Sequence, residues 1–382
     1  MATETSAPDR AVRQVQQAFD AGARNGAPHL PLDHVDVGRG VLSASVAPPS
    51  EGDAGLDHEL LRAMHRALVL ARATDERMWQ MNRAGRAPFV VSGQGHEAAQ
   101  VGAAFALDRE RDWIVPYYRD LALSMAFGLT AEEIILSALA RAADPASGGR
   151  QMPAHYGSAR RRIVSASSPV STQIPHATGL AYAAKLRGSD EVALTAFGEG
   201  GSSKGDFHEA CNFAGIHRLA VIFFCENNRY AISVPQDLQM PIDNVADRAA
   251  AYGFPGVVVD GTDLLAVHLA TRDAVARARA GEGPTLIEAK VYRFTPHSSD
   301  DDDRSYRDPE EVSAWRARDP VTLFEQRMLD VGALDDASLA QVRAEIKREV
   351  DAATDAAERA PLPDPATFAD HVYADEDSGL RT

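Results

Sequence analysis

The chain has only two cysteines, Cys211 and Cys225, among 382 residues. They supply neither a disulfide framework nor a zinc-ligand spacing. Cys225, inside the apolar run LAVIFFC, reads as a buried core thiol. No window approaches the roughly 18 uninterrupted apolar residues that a membrane-spanning helix needs. The opening MATETSAPDR has no apolar centre to serve as a secretory signal, and its early acids argue against a mitochondrial transit peptide. A cytoplasmic protein without a membrane partner is expected. Basic residues are in deficit as well: 39 Lys and Arg stand against 55 Asp and Glu, a formal charge of -16. Nucleic-acid binding needs a basic face, so that class is excluded. There are no internal repeats.

What is present is ordinary for a globular enzyme, with 45% hydrophobic residues and a mean hydropathy of -0.25. The length allows one large α/β domain with appendages, or two domains. Residues 1–55, rich in Pro, Gly, Ala and Asp with weak periodicity, are expected to form an N-terminal arm extended over the surface. Residues 56–308 form the main domain. Apolar positions recur at helical spacing from Leu56 to Met81, and further helices surround a short strand, WIVP. Residues 142–157 read as a loop punctuated by Pro and Gly. Then come helix STQIPHATGLAYAAKLRG, strand EVALTAF, a Gly-rich turn, helix DFHEACNFAGI and strand LAVIFFC. Strands near GVVVDG and TLIEAKVYRF follow, separated by helix LLAVHLATRDAVARARA. Alternating strands and helices with near-continuous apolar strands predict an α/β fold, a largely parallel sheet with helices on both faces. Residues 309–382 read as a C-terminal helical segment and tail.

Open α/β sheets bind ligands beyond the carboxyl ends of their strands. Here GEGG leaves the end of EVALTAF, and ENNRY leaves the end of LAVIFFC. If those strands are neighbours, Glu199 and Asn228 come together. A carboxylate, an amide oxygen and a nearby carbonyl suit a hard cation such as Mg²⁺, which leaves further positions for phosphate and water. The glycines let backbone N–H groups approach phosphate, and the helix beginning near Asp206 presents its N-terminus. The combined reading is a Mg²⁺–diphosphate site. GEGGSSKG is not the G-x-G-x-x-G dinucleotide turn, and it is not a P-loop because Gly follows Lys204. On their own, a Gly-rich loop and an Asn pair are more commonly plain structural turns.

The spacing from GEG to NN resembles the thiamin diphosphate motif, whose usual form begins Gly-Asp-Gly. PYYRD, GRQMPAHYG, SASSPVSTQIPHATGLAYAAK and YRFTPHSSDDDDRSYRDPEEV resemble one branch of that group. Together, over roughly residues 55–350, they are similar to the alpha subunit of the branched-chain 2-oxo acid (2-oxoisovalerate) dehydrogenase decarboxylating component. The resemblance implies a thiamin diphosphate-binding fold and oxidative decarboxylation of branched-chain 2-oxo acids, with acyl transfer to lipoamide. It implies Mg²⁺ ligands at Glu199, Asn228 and the carbonyl of Tyr230, with Gly200 and Gly201 lending N–H groups to the cofactor. Tyr118 and Arg119 would reach the diphosphate from another loop, and Ser168 and Val170 would hold the aminopyrimidine. Ser167, Pro169, Thr172 and Gln173 match a loop that holds K⁺ in some relatives.

His297 would be the catalytic histidine, with His155 facing the cofactor. Ser298 matches a regulatory phosphorylation site of mitochondrial relatives, and Asp300–Asp303 read as a solvated acidic loop, one that could order only when cofactor arrives. Tyr117, Tyr118 and Val170 are expected to influence substrate choice. Where family members can carry an arginine before the Asn pair, this chain has Glu226, which leaves one phosphate contact in question and open to compensation by some other cation. The resemblance further implies a separate beta chain, two alpha and two beta chains per assembly, and a lipoyl-bearing acyltransferase core. Pyruvate or acetoin stays open as the substrate, and a non-catalytic thiamin diphosphate-binding regulator as the second class of function.

Overall fold

The runs ALTAFG and VIFFCEN, apolar without alternation, form adjacent parallel strands buried on both faces. The computed structural model describes residues 41–43, 57–370 and 372, which belong to one compact unit. In chain order the strands are β1 (Val41–Ser43), β2 (Trp113–Val115), β3 (Ala193–Gly198), β4 (Val221–Asn227), a hairpin of β5 (Tyr230–Ala231) and β6 (Val234–Pro235), β7 (Gly256–Asp260) and β8 (Thr285–Lys290). The main sheet has the order β1-β7-β8-β4-β3-β2, and every pair in it is parallel. The expected doubly covered parallel sheet is therefore present.

Strand parity divides the core into two layers. Ile222 and Phe224 of β4 share one cluster with helices His58–Arg83, Glu97–Ala104 and Leu264–Arg279. Val221, Phe223 and Cys225 face the other way, onto helices Gln173–Arg187 and Gly205–His217. Both cysteines are buried and free.

Local chemistry sets several helix starts. Thr130 and Glu133 form a reciprocal capping box ahead of Ala131–Ala138. Asp308-Pro309 and Asp319-Pro320 each put a capping carboxylate before a proline in the first turn. The helices they open, Pro309–Arg316 and Pro320–Asp330, are followed by Asp336–Arg359, as the sequence predicts. Phe324, Met328, Ile346 and Val350 from the last two pack into the same cluster as the first helix. Of the expected N-terminal arm, Val41–Ser43 is described, and it is a strand on the sheet edge beside β7. The rest of residues 1–55 lies outside the described residues. The start of the C-terminal tail is pinned to the 142–157 loop: Ala142 N–H donates to the Pro361 carbonyl at 3.0 Å, and Arg150 donates to Thr367 Oγ1 at 3.0 Å.

Candidate active site at the strand ends

Four neighbouring strands, β2, β3, β4 and β8, run in the same direction, so their carboxyl ends gather at one rim. Tyr118 and Arg119 follow β2, Glu199 follows β3, Asn228 follows β4, and Arg293 and His297 follow β8. The chemistry-bearing residues are close because the sheet makes their strands adjacent, although they are spread along the chain.

Glu199 is buried, and its Oε2 accepts the N–H of Asn228 at 3.2 Å. Its Oε1 is buried without a partner among the described residues, and burial pushes this carboxyl above the usual carboxylate range. Asn228 is also buried, and its side-chain oxygen accepts the Tyr230 N–H at 3.2 Å. Glu199, Asn228 and Tyr230 are thus brought together, with one carboxylate oxygen unsatisfied. Among the described residues no group of three His, Cys, Asp or Glu side chains could hold a metal. The donor set here is of the mixed carboxylate–amide–carbonyl kind. Gly200 and Gly201 lie in the tight turn Glu199–Ser203. A Cβ on Gly200 would meet Ala231 Cβ at 2.7 Å, so only glycine lets the hairpin approach.

Arg119 is almost fully buried, 1% exposed. Its Nη2 lies 3.4 Å from His297 Nδ1 and donates to the His297 carbonyl at 3.2 Å, while its Nε has no partner. Its guanidinium carbon sits 5.6 Å from the centre of the Tyr118 ring, which in turn meets the His297 ring edge-on at 5.8 Å. Burial, then Arg119 and Arg293, push His297 down to about 4.

The 167–173 loop stands at the open side. Ser168, Pro169 and Val170 are exposed, and Ser168 Oγ pairs with His155 Nε2 at 2.8 Å. Ser167 Oγ and Thr172 Oγ1 are 2.5 Å apart, and Thr172 also donates to the Pro169 carbonyl at 2.8 Å. Gln173 does not point its amide nitrogen at that trio. The nitrogen reaches the Ala196 carbonyl of β3 at 3.0 Å.

Two findings depart from expectation, and a third concerns Ser298. Tyr117 turns away from the site: it is buried, with its hydroxyl 3.4 Å from Glu226 Oε2. The acidic run is not simply solvated. Asp301 accepts the His297 N–H at 2.8 Å and the Tyr306 hydroxyl, and Asp303 pairs with Arg307. Ser298 is buried, with its hydroxyl accepting the Asp300 N–H at 3.4 Å.

Sequence reasoning passed over three further residues. Arg293 lies inside the quoted run YRFTPH, one helical turn's spacing from His297, but nothing in that run marks it as inward. Ser171, with φ of 79°, donates from Oγ to the Gly201 carbonyl at 2.9 Å and joins the two loops. His96 donates from Nδ1 to Glu226 Oε2 at 2.6 Å, and Gln100 donates to the same oxygen at 2.9 Å.

The chain is similar to known proteins along most of its length. The family described as Dehydrogenase E1 component matches residues 65–366. The chain is 54% identical over 320 residues to the 2-oxoisovalerate dehydrogenase subunit alpha of Bacillus subtilis, covering 84% of this chain and 97% of that protein. It is 38% identical over 334 residues to the mitochondrial 2-oxoisovalerate dehydrogenase subunit alpha of Homo sapiens, covering 87% and 74%. It is also 36% identical over 326 residues to a 3-methyl-2-oxobutanoate dehydrogenase subunit alpha of Mycobacterium tuberculosis, covering 85% and 86%.

Proposed function

Since the chain belongs to the dehydrogenase E1 component family, we propose that it is the alpha subunit of a thiamin diphosphate-dependent dehydrogenase of branched-chain 2-oxo acids. The substrate class is taken from relatives named for 2-oxoisovalerate and 3-methyl-2-oxobutanoate. The observation that carries the cofactor reading is the buried, unpartnered Oε1 of Glu199 beside Asn228. A buried carboxylate oxygen without a partner is costly, and a hard cation satisfies it. Mg²⁺ fits, held by Glu199, Asn228 and the Tyr230 carbonyl. Arg119 suits a phosphate oxygen, since its planar guanidinium still has a free Nε donor. Ser168 and Val170, exposed at the open side, suit the aminopyrimidine. Ser167, Thr172 and the Pro169 carbonyl form the trio that would hold K⁺, with Gln173 turned toward β3.

When bound, thiamin diphosphate supplies the electron sink for decarboxylation of a 2-oxo acid. The chain's own contribution centres on His297. A cation facing Nδ1 disfavours a proton there, so the neutral ring carries its hydrogen on Nε2 and can donate it to developing negative charge. Asp301 fixes the His297 backbone and Arg119 holds the ring, so the donor is positioned before substrate arrives. The open 167–173 loop suits completion by a second chain. The proposal therefore includes a beta subunit, an assembly of two alpha and two beta chains, and delivery of the acyl group to a lipoyl-bearing acyltransferase in the cytoplasm.

The test is thiamin diphosphate- and Mg²⁺-dependent dye reduction by this chain co-expressed with a beta chain, with release of CO₂ measured for the 2-oxo acids 3-methyl-2-oxobutanoate and pyruvate and release of acetaldehyde for acetoin. Cofactor-dependent turnover favouring the branched acid is expected. A preference for pyruvate would replace the substrate and keep the decarboxylation, while a preference for acetoin would replace it by cleavage that releases acetaldehyde. No turnover by a stable, cofactor-loaded complex would leave the regulator as the better reading.

A further inference from the structure

The residue before the Asn pair is Glu226, where an arginine would add positive charge to a diphosphate site, and strand parity explains why the acid does no harm there. Glu226 shares its face of β4 with Ile222 and Phe224, and its Oε2 is engaged by His96, Gln100 and Tyr117. It looks into the layer beneath the rim. The site is thereby short of one cation, because magnesium and a diphosphate set against Glu199 leave a net negative charge that Arg119 alone does not balance.

Across the rim lies Arg293, just beyond β8 and only 1% exposed. Its Nη2 donates to the Ile232 carbonyl at 2.8 Å, while Nε and Nη1 are buried with no partner among the described residues. The acid nearest in effect is Asp301, which Arg293 helps hold below the ordinary carboxylate range, but its oxygen is taken by the His297 N–H and the Tyr306 hydroxyl. The Arg293 charge acts on Glu199, Tyr118 and His297, all of them residues of the site. Arg119 and Arg293 also repel each other, and burial together with that repulsion pulls Arg293 below its ordinary range. Two buried guanidinium groups that keep idle donors and repel each other are costly, and an anion joining those donors offsets that cost.

We propose that Arg293 is the second fixed cation of the diphosphate site, donating from Nε and Nη1 to the diphosphate and replacing the charge that Glu226 cannot supply. The proposal rests on the thiamin diphosphate reading above. It assigns Glu226 a supporting role under the rim and Arg293 a direct contact with the cofactor.

The experiment measures thiamin diphosphate affinity by calorimetry in saturating Mg²⁺, on the full chain co-expressed with its beta chain. Wild type is compared with Arg293→Met and Arg293→Lys, and the melting temperature of each is taken without cofactor. A charge-assisted hydrogen bond lost from the diphosphate corresponds to about 10- to 100-fold weaker binding for Arg293→Met. Arg293→Lys is expected to recover most of the loss, and both variants to melt near wild type. Wild-type affinity in Arg293→Met overturns the proposal. So does an equal loss in both variants accompanied by lowered melting, which would make Arg293 a prop for the Ile232 hairpin. If Arg293→Met does not fold, Arg293→Lys decides: affinity within about tenfold of wild type supports the contact, and abolished binding refutes it. Failure of wild type itself to bind would refute the cofactor reading and this proposal together.

Discussion

Arg119 grips His297 at two points, with Nη2 3.4 Å from the ring Nδ1 and 3.2 Å from the backbone carbonyl of the same residue. One guanidinium therefore orients the imidazole and opposes its protonation. Burial is the larger cause of the shift, with Arg119 and Arg293 adding to it and Asp301 partly offsetting them, and the ring titrates at about 4 instead of 6.5.

The cofactor-free protein should accordingly keep His297 neutral down to about pH 5, as followed by the ring-proton shifts in NMR. The sign for stability follows from proton counting. Between 6.5 and about 4 the unfolded chain binds the proton that the folded ring refuses, so this residue lowers stability as pH falls through that window. Arg119→Gln should move the midpoint upward. A wild-type midpoint near 6.5 would mean a solvated ring and would remove the electrostatic account of the site.

Glu199→Gln separates metal binding from folding. The buried Oε1 has no partner in the cofactor-free chain, and an amide removes the desolvated charge. Without cofactor the variant should melt at or above the wild-type temperature. With Mg²⁺ and thiamin diphosphate, the thermal gain seen in wild type should vanish, as it should in wild type treated with a chelator. Affinity should fall by more than the roughly 10- to 100-fold typical of outer partners of metal sites. Retained Mg²⁺-dependent stabilisation would show that the metal lies elsewhere.

The strand ends were legible because β3 and β4 are apolar on both faces, and only central parallel strands tolerate that. Once they are neighbours, GEG and NN must meet. Arg293 was not legible, because its inward orientation depends on the rim formed by β2, β3, β4 and β8 together. Glu226 was half legible: Ile222, Phe224 and Glu226 share a face by simple alternation, but which face meets a ligand depends on the helices behind it. The run Asp300–Asp303 carries charge that usually marks a solvated loop. A turn over Asp303–Ser305 brings Asp301 and Asp303 back onto His297, Tyr306 and Arg307, and composition cannot announce that turn.

Glu226→Ala should destabilise the fold more than it weakens cofactor binding. The carboxylate accepts from His96 and Gln100, with Asp120 beside it raised well above the usual range by burial and then by the Glu226 charge. Removing one partner of a buried ionic network costs about 3–5 kcal/mol. Urea unfolding is the measurement. A loss under about 1 kcal/mol, a size ordinary for surface changes, would mean that water takes over the acceptor role.

Two glycines, Gly95 beside Tyr292 and Gly201 in the Glu199–Ser203 turn, should respond very differently to alanine. Gly95 has φ of 94°, and a Cβ there would lie 2.0 Å from the Tyr292 carbonyl oxygen. Both the backbone angle and the immovable neighbour oppose a side chain, and the strained junction joins the start of the Glu97–Ala104 helix to the segment that carries Arg293. Gly95→Ala should cost about 3 kcal/mol or more. Gly201 has no such angle, and its Cβ would press on the Ser171 hydroxyl at 2.8 Å and touch Phe197 only at an ordinary contact distance of 3.6 Å. That hydroxyl can rotate away, at the cost of its 2.9 Å hydrogen bond to the Gly201 carbonyl. Gly201→Ala should thus cost about the 1 kcal/mol of one net hydrogen bond. In a double-mutant cycle, Gly201→Ala added to Ser171→Ala should cost almost nothing more, because the clash and the bond involve the same oxygen. Strictly additive losses would show that the Cβ is opposed by the turn itself, and that Ser171 is not what keeps residue 201 a glycine.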